Sequence, residues 1–260
     1  MKIRFDKIIL LTGQSNALGQ FSGSKIINYD IDNRIYAYNI NKNSWIHFQY
    51  NTEIGSKPTN NECFAYYFAK RYLQDYPHHK VGIIVFGQAA TPISHWIVPN
   101  LYLARSSIQN NYDSGVIFHN INYHIHNALD SIKNKYINII LWHQGENDEN
   151  ETNMYYFERL QALITQFRCS KLCNRKLIFI AGELKNGKQN IALNMLNYDK
   201  DKHTACAYTS FIDSFDNVHF TSNGFCQVGY QYYYTYQNIL KKRKKHMFKI
   251  YVLNLKNKYN

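Results

Sequence analysis

The sequence predicts an α/β fold, a three-layer α/β/α sandwich built on a mainly parallel central sheet of about five strands. Two observations support this prediction: short apolar runs alternate with longer segments of helical periodicity, and the apolar runs end in polar loops. The clearest runs are residues 8–11, 81–86 and 137–142. Runs that are apolar throughout are typical of parallel strands, because helices cover both faces of such a sheet. The length of 260 residues suits one sizeable core.

Helices are predicted where apolar residues recur at intervals of three and four positions, which places them on one helix face. This pattern covers residues 60–74, 116–135, 153–168 and 225–240, with a shorter segment at 191–196. Two further strands are expected, at residues 176–181 and 205–211. Residues 34–39 and 44–49 alternate like two short strands, and we interpret them as a hairpin inserted at the rim of the functional site.

The chain is strongly basic, but its charge is unevenly placed. Lysines and arginines number 30 against 18 aspartates and glutamates, which gives a formal net charge of +12. Such an excess favours anionic partners in general. The dense cluster, however, is residues 241–245, so we expect no nucleic-acid partner and divide the chain into a catalytic-sized domain, 1–240, and a basic C-terminal extension, 241–260. A basic run is typical of a solvated helix end. Residues 248–255 fit either a helix or an extra strand.

The five cysteines predict neither disulfides nor a metal site. They are an odd number, form no CxxC pair and have no histidines at zinc-ligand spacing around them. His124 and His126, two positions apart on a predicted helix, face different sides. The first apolar run is too short for a signal peptide, and no stretch approaches the roughly 18 apolar residues of a membrane helix. We therefore expect a cytoplasmic or intracellular protein with no membrane span.

Polar residues follow the ends of three predicted strands. Ser15 lies after the first strand, the loop 87–96 after the second and Gln144 after the third. Because parallel strands end at one edge of a sheet, these loops are expected to meet there. A later polar turn contains Asp216 and His219. A hydroxyl nucleophile needs a base within hydrogen-bond reach and a group that orients the base, so Ser15, His219 and Asp216 form a candidate set.

Three blocks of the chain resemble those of the SGNH hydrolase superfamily, in the form found in sialate O-acetylesterase-like carbohydrate esterases of the family 6 type. The blocks are Gly13-Gln14-Ser15-Asn16 with Gly19, Trp142-His143-Gln144-Gly145-Glu146-Asn147-Asp148, and Asp216-Asn217-Val218-His219. They stand in the family's order. The resemblance implies a flavodoxin-like α/β/α domain and an enzyme that removes small acyl groups, mostly acetyl, from sugar hydroxyls without a metal or other cofactor.

The resemblance also implies roles for individual residues. Ser15 would be the nucleophile, His219 the base and Asp216 the acid that orients it. The implied oxyanion hole combines the main-chain N–H of Ser15, a main-chain N–H of the second loop, assigned to Ala90, and the side-chain amide of Gln144. Further residues are candidates for substrate contact or loop support: Gln14, Asn16, His95, Trp96 and Glu146.

The second loop departs from the family pattern. The family usually has Gly-Gly-Thr/Ser-x-Ile-x-x-Trp there, whereas this chain has Ala89 and Ala90 at the glycine positions. A Cβ at a residue with positive φ costs roughly 1–2 kcal/mol. The change would alter the size of the acyl group accepted, slow the enzyme, or have no effect if φ is negative there.

We expect a serine carboxylic-ester hydrolase that deacetylates a carbohydrate such as acetylated sialic acid or xylan through an acyl-enzyme. Two alternatives stay open: a glycan-binding module of the same fold with impaired catalysis, and an esterase that acts on lipids or other small esters. The expected partner is a small-molecule or glycan acetyl ester, and the oligomeric state stays open. Specificity is expected to come from residues 21–57 and 100–115.

Overall fold

The computed structural model of the chain describes residues 2–20, 31–49, 54–57, 62–98 and 115–259, with side chains described as far as Arg243. The strands are β1 (Lys7–Gly13), β2 (Ile35–Asn39), β3 (Ser44–His47), β4 (Val81–Gly87), β5 (Ile137–His143), β6 (Cys173–Gly182) and β7 (Thr204–Ala207). The α-helices are α1 (Phe64–Asp75), α2 (Val116–Asp130), α3 (Asn153–Cys169), α4 (Asn190–Met195) and α5 (Ser222–Tyr259).

Strand β1 is the centre of the sheet. It pairs in parallel with β4 on one side and β5 on the other, and the strand order is β3-β2-β4-β1-β5-β6-β7. Every pairing of these strands is parallel except that of β2 with β3. All residues of β1 except Lys7 are buried, which explains its apolar sequence.

The two faces of the sheet pack against separate hydrophobic cores. Ile8 and Leu10 of β1 belong to a core that α2, α3 and α4 complete. Ile9 and Leu11 belong to a second core, which α1 and α5 complete. Because side chains alternate between the faces of a strand, one apolar run supplies both cores. The three-layer α/β/α sandwich predicted from the sequence is confirmed.

The sheet has seven strands, two more than the roughly five predicted. The expected hairpin forms β2 and β3, but β2 pairs in parallel with β4, so the hairpin extends the sheet at its edge. Ile35 and Ala37 of β2 are fully buried in the same core as α1 and α5. The hairpin is therefore part of the fold rather than an insertion at the rim of the site.

Helix α2 is shorter than predicted because the loop after it is tied to the N-terminal segment. It ends at Asp130 instead of residue 135. The Asn134 side chain accepts a hydrogen bond from the Phe5 N–H and donates one to the Phe5 carbonyl, both at 2.8 Å. Helix α1 begins at Phe64, and residues 60 and 61 of the predicted helix lie outside the described part of the chain.

The C-terminal elements also differ from the prediction. Strand β7 ends at Ala207 instead of residue 211, because the chain turns there and the Thr209 hydroxyl donates to the Glu183 carbonyl at 2.5 Å. Helix α5 runs from Ser222 to Tyr259 without interruption. Residues 248–255 are therefore helical and do not form an extra strand.

Tyr232 fastens α5 to the end of β5. Its hydroxyl donates to the Trp142 carbonyl at 2.6 Å and lies 3.1 Å from the Nδ1 atom of His143. Because the hydroxyl hydrogen is used on the carbonyl, Nδ1 of His143 is the donor in the second bond. His143 is fully buried, and burial lowers its pKa to about 3, so the ring is neutral.

We predict that Tyr232→Phe lowers the free energy of unfolding by about 1–3 kcal/mol, because the Trp142 carbonyl and the His143 N–H lose their buried partner. Tyr198→Phe is the matched control, since Tyr198 is 86% exposed. It should change stability by less than about 0.5 kcal/mol. Urea unfolding followed by circular dichroism measures both variants, and equal values would contradict the role given to Tyr232.

Candidate active site

The carboxyl ends of β1, β4 and β5 meet at one edge of the sheet and present Ser15 there. Gly13, the last residue of β1, has φ 138°, and a Cβ at this position would lie 2.0 Å from the His143 carbonyl oxygen. Glycine is therefore required where the chain turns off the sheet. Main-chain bonds fix the neighbouring loops: the Gln14 N–H donates to the His143 carbonyl and the Gln88 N–H to the Gly13 carbonyl, both at 3.0 Å.

Ser15, His219 and Asp216 form a continuous chain of hydrogen bonds. The Oγ atom of Ser15 lies 2.8 Å from Nε2 of His219, and Nδ1 of the same ring lies 2.6 Å from Oδ2 of Asp216. The other carboxylate oxygen accepts from the main-chain N–H groups of Val218 and His219 at 3.0 and 2.6 Å. The structure thus brings together the three residues that the sequence identified as a candidate set.

The charge on Asp216 fixes the direction of these bonds. Desolvation opposes ionisation of this carboxyl, but the hydrogen bonds from the His219 amide, the His219 ring and the Val218 amide outweigh it and lower the pKa of Asp216. An ionised Asp216 only accepts hydrogen bonds, so Nδ1 of His219 carries the proton and Nε2 accepts from the Ser15 hydroxyl. That arrangement can take the proton from Ser15 as its oxygen attacks a carbonyl.

The Asn16 side chain joins the serine loop to the loop that carries His219. It is fully buried; its Nδ2 donates to Oε1 of Glu146 at 2.8 Å and to the Val218 carbonyl at 3.0 Å. Its Oδ1 accepts from the Phe220 N–H at 3.3 Å. Burial raises the pKa of Glu146, and the bond from Asn16 opposes that shift. Asn16 and Glu146 therefore support the loops, and these contacts point into the protein.

The side chain of Gln144, which the resemblance assigns to the oxyanion hole, makes its hydrogen bonds inside the protein. The residue is fully buried, and its Nε2 donates to the Thr91 carbonyl at 2.9 Å and to Oδ2 of Asp148 at 2.5 Å. Its Oε1 lies 3.1 Å from the Tyr156 hydroxyl oxygen. Both hydrogens of the amide are used, so Gln144 has none left for an oxyanion. In this arrangement the amide ties the second loop to Asp148.

Trp96 is also not available to a substrate. Its ring is fully buried and packs edge-on against Trp142, with ring centroids 4.9 Å apart and planes at 84°. Its Nε1 donates to the Thr91 hydroxyl at 3.3 Å. Both tryptophans therefore support the loop from within the core, whereas His95, the residue before Trp96, is exposed. Gln14, the residue before Ser15, is buried.

Sequence reasoning missed Gln189 and Tyr156, which complete the support of the site. The Gln189 side chain donates to the main-chain carbonyls of Asp148 and Glu151 at 2.6 and 3.1 Å. The Tyr156 hydroxyl donates to the Gln144 carbonyl at 2.7 Å. Gln189 lies in a polar loop without periodicity, and Tyr156 has the spacing of an ordinary core residue, so neither carries a signal in the sequence.

Ala90 lies in the left-handed region, with φ 52°. The residue is exposed, and among the described residues neither its N–H nor that of Ser15 donates to another protein group. Within the part of the chain that the structure describes, both N–H groups are therefore available to an oxyanion. The expectation that alanine is strained at a glycine position applies here, since φ is positive. Specificity was expected to come from residues 21–57 and 100–115, and within these ranges residues 21–30, 50–53 and 100–114 lie outside the described part.

We predict that Ala90→Gly raises the free energy of unfolding by about 0.5–1 kcal/mol. Removing the Cβ relieves roughly 1–2 kcal/mol of strain, and the greater freedom of glycine in the unfolded chain offsets part of that gain. Ala89→Gly is the matched control, because Ala89 has no positive φ and should lose stability instead. Urea unfolding of both variants gives the two signs, and a loss in Ala90→Gly would contradict the strain.

A second prediction concerns Asp148, whose carboxylate accepts from the Ile93 N–H at 3.0 and 3.1 Å. Burial raises its pKa to about 6, although hydrogen bonds from Gln144 and Ile93 oppose the shift. The unfolded carboxyl titrates near about 3.9, so the folded protein binds more protons in between and loses stability from this group as the pH rises from about 4 to 6.

Asp148→Asn cannot titrate and isolates this contribution. The free energy of unfolding of the parent minus that of the variant should fall between about pH 4 and 6 and level off above about pH 7. Urea unfolding at a series of pH values measures the difference. A difference that rises with pH in this window would contradict the raised pKa.

No group of three or more His, Cys, Asp or Glu side chains is arranged to hold a metal ion in the described ranges. Nor is any described helix long and apolar enough to cross a membrane.

Comparisons with known proteins complete the description of the site. A sequence profile of carbohydrate esterases described as sialic acid-specific acetylesterases matches residues 6–238. A search of curated protein sequences found no match.

Several solved structures resemble the chain in fold. A protein from Arabidopsis thaliana has a TM-score of 0.68 at 17% identity, with 90% of this chain and 99% of that chain covered. NanS has a TM-score of 0.62 at 12% identity, covering 94% of this chain and 99% of its own. XAC1771, a carbohydrate acetylesterase from Xanthomonas citri, has a TM-score of 0.57 at 19% identity, covering 87% of this chain and 54% of its own.

Identities this low show the fold alone. The family profile goes further, because it spans β1 to α5 and includes all three sequence blocks. The chain belongs to the sialic acid-specific acetylesterase family of carbohydrate esterases, the SGNH-type family that its sequence blocks resemble.

Proposed function

We propose that the protein is a serine esterase that removes O-acetyl groups from a carbohydrate, with Ser15, His219 and Asp216 as its catalytic triad. The observation that supports this most directly is the unbroken chain of hydrogen bonds from Ser15 Oγ through His219 to Asp216. Family membership supports the acetyl ester of a sugar as the substrate class.

In the proposed reaction, Nε2 of His219 takes the proton of Ser15 as Oγ attacks the acetyl carbonyl. Asp216 stabilises the imidazolium that forms. His219 then returns the proton to the sugar oxygen, the C–O bond breaks, and the acetyl group stays on Ser15. A water, deprotonated by the same ring, attacks the acetyl-serine and releases acetate, which restores the starting state.

Two main-chain groups, the N–H of Ser15 and the N–H of Ala90, are the proposed oxyanion donors. Loss of one such donor typically lowers kcat by about two to three orders of magnitude. Gln144 acts on the hole indirectly in this proposal: its amide holds the Thr91 carbonyl and thereby the strained residue before it.

The first test is Ser15→Ala with p-nitrophenyl acetate as substrate. We predict a loss of about four to six orders of magnitude in kcat, since the nucleophile is removed. Ser131→Ala is the matched control. Ser131 is exposed at the end of α2, at the opposite end of the parallel strands from Ser15, and its substitution should leave kcat unchanged. Activity of the Ser15 variant within a few-fold of the parent would overturn the proposal.

A glycan-binding module with impaired catalysis is the second candidate, and the strained Ala90 is the observation that favours it. A serine-reactive fluorophosphonate separates the two. Labelling of the parent but not of Ser15→Ala favours the esterase. Glycan binding without labelling favours the binding module.

A comparison of substrates identifies which acylated sugar the enzyme acts on. Turnover on O-acetylated sialic acid, acetylated xylan oligomers and medium-chain esters, measured side by side, ranks the sialate, xylan and lipid possibilities. We expect O-acetylated sialic acid to be turned over best, in line with the family description. Fastest turnover of a medium-chain ester would contradict a carbohydrate esterase.

A further inference from the structure

The loop that carries His219 exposes several apolar side chains to solvent. We call residues 208–219 the histidine loop; it follows β7 and lies at the same end of the sheet as Ser15. Of the 12 large apolar side chains that are exposed in the described ranges, four belong to this loop: Tyr208, Phe211, Phe215 and Val218. Apolar surface gathered beside reactive groups is typical of a ligand-binding surface.

Phe215 is the residue of this group whose ring contacts the proposed base. It stacks on the His219 ring, with centroids 5.7 Å apart and planes at 18°. The backbone fixes the pair, because the Phe215 N–H donates to the His219 carbonyl at 3.0 Å and Ser214 pairs with Phe220 in an antiparallel bridge. The Phe215 side chain is nevertheless 40% exposed, so part of its surface is accessible to a ligand beside His219.

The aromatic side chains that support the site from within cannot contact a substrate. Trp96, Trp142 and Tyr156 are fully buried, and so is Phe220, the residue after His219. In the part of the chain that the structure describes, the aromatic surface that a ligand can reach beside the base is therefore that of Phe215.

The proposed reaction brings the leaving sugar close to this ring. His219 returns its proton from Nε2 to the sugar oxygen, which requires the two atoms to approach within about 2.6–3.2 Å. With ring centroids 5.7 Å apart, that oxygen lies no more than about 10 Å from the centre of the Phe215 ring. The acetyl carbonyl oxygen points toward the N–H groups of Ser15 and Ala90 in the same proposal. The sugar therefore lies on the histidine side of the ester, within reach of Phe215.

A pyranose matches the chemistry of this surface, because its ring has a face of C–H groups and a rim of hydroxyls. Asn217 is exposed in the turn that follows Phe215, and Asn186 is exposed beside it, its Nδ2 donating to the Asn217 carbonyl at 3.5 Å. A flat apolar face bordered by amide groups suits a sugar better than an alkyl chain, which has no hydroxyls to offer the amides.

We propose that Phe215 forms the subsite for the leaving sugar, with its ring packed against the C–H face of an O-acetylated pyranose. This inference rests on the function proposed above and adds the residue that recognises the sugar. Because the same ring stacks on His219, the sugar is bound next to the atom that must protonate its oxygen.

The test is Phe215→Leu, which keeps an apolar side chain but removes the flat face. Kinetics are measured on the sugar ester that the parent hydrolyses best, O-acetylated sialic acid or acetylated xylan oligomers. We expect kcat/KM to fall about tenfold, mainly through a higher KM, because the stacking contact is lost. Ethyl acetate and hexyl acetate have leaving groups without a ring, and their kcat/KM should stay within about twofold of the parent. Phe215→Tyr keeps the flat face and should retain sugar turnover within about twofold.

Phe211→Leu is the matched control, since Phe211 lies on the same loop and is 62% exposed. It should leave kcat/KM for the sugar ester within about twofold of the parent. An equal loss in the two leucine variants would overturn the assignment to Phe215. An equal loss on ethyl acetate and on the sugar ester would also overturn it, because Phe215 would then act only by positioning His219. Circular dichroism checks that the variants fold.

Binding separates a failure of this inference from a failure of the proposed function. The same sugar ester is titrated by calorimetry into Ser15→Ala and into a double variant that also carries Phe215→Leu, so that affinity is read without hydrolysis. About tenfold weaker binding by the double variant supports the subsite even if the parent proves inactive as an esterase. Equal binding by the two overturns the subsite even if the parent is an active esterase. An inactive parent that binds no sugar overturns both proposals.

Discussion

The buried carboxamide of Asn16 is the contact on which the geometry of the candidate active site depends. It bonds Glu146 and the Val218 carbonyl with its two hydrogens and receives the Phe220 N–H on its oxygen. These partners lie 130 to 204 positions away in the chain. A side chain must be both a double donor and an acceptor to satisfy all three, and among side chains of this size only asparagine is. Because Asn16 follows Ser15 directly, the same bonds fix the distance from Ser15 to His219.

A second buried network determines the loop that carries Ala90. The Asp148 carboxylate accepts from the Ile93 N–H and from Gln144, whose amide also holds the Thr91 carbonyl. Hydrogen bonds to a charged group contribute about 1.5–3 kcal/mol each, more than the roughly 1–2 kcal/mol of strain at a left-handed alanine. The network therefore holds φ of Ala90 at 52° although the residue has a Cβ. The cost of replacing glycine falls on stability rather than on the geometry of the loop.

The sequence predicts those parts of the fold that follow from local patterns. Runs such as residues 8–11 are apolar throughout because both faces of β1 are buried, so the strands and the helical layers that cover them could be predicted from these runs. Ser15 and the Asp216–His219 pair were identifiable because a nucleophile, base and orienting acid are specific residue types.

Other features could not be predicted because they depend on contacts between distant segments. The role of Gln144 follows from the position of the Thr91 carbonyl, 53 residues away, and no local pattern encodes that distance. The sequence predicted the two strands of the hairpin. The alternation of apolar and polar residues does not determine which strand of the sheet the hairpin pairs with, and in the structure that strand is β4. The C-terminal end of α2 likewise depends on the hydrogen bond between the Phe5 N–H and the Asn134 side chain, which are 129 residues apart.

Helix α5 runs from the end of the sheet that carries the candidate active site to the end where β1 begins. Its first turn lies at the end of the sheet that carries the candidate active site, where the Ser222 hydroxyl donates to Glu62. Further along the helix, Tyr232 fixes it to β5. The buried residues Phe225, Val228, Tyr232, Tyr236 and Ile239 recur at intervals of three and four. A helix held in the core over this length cannot pivot where it leaves the domain.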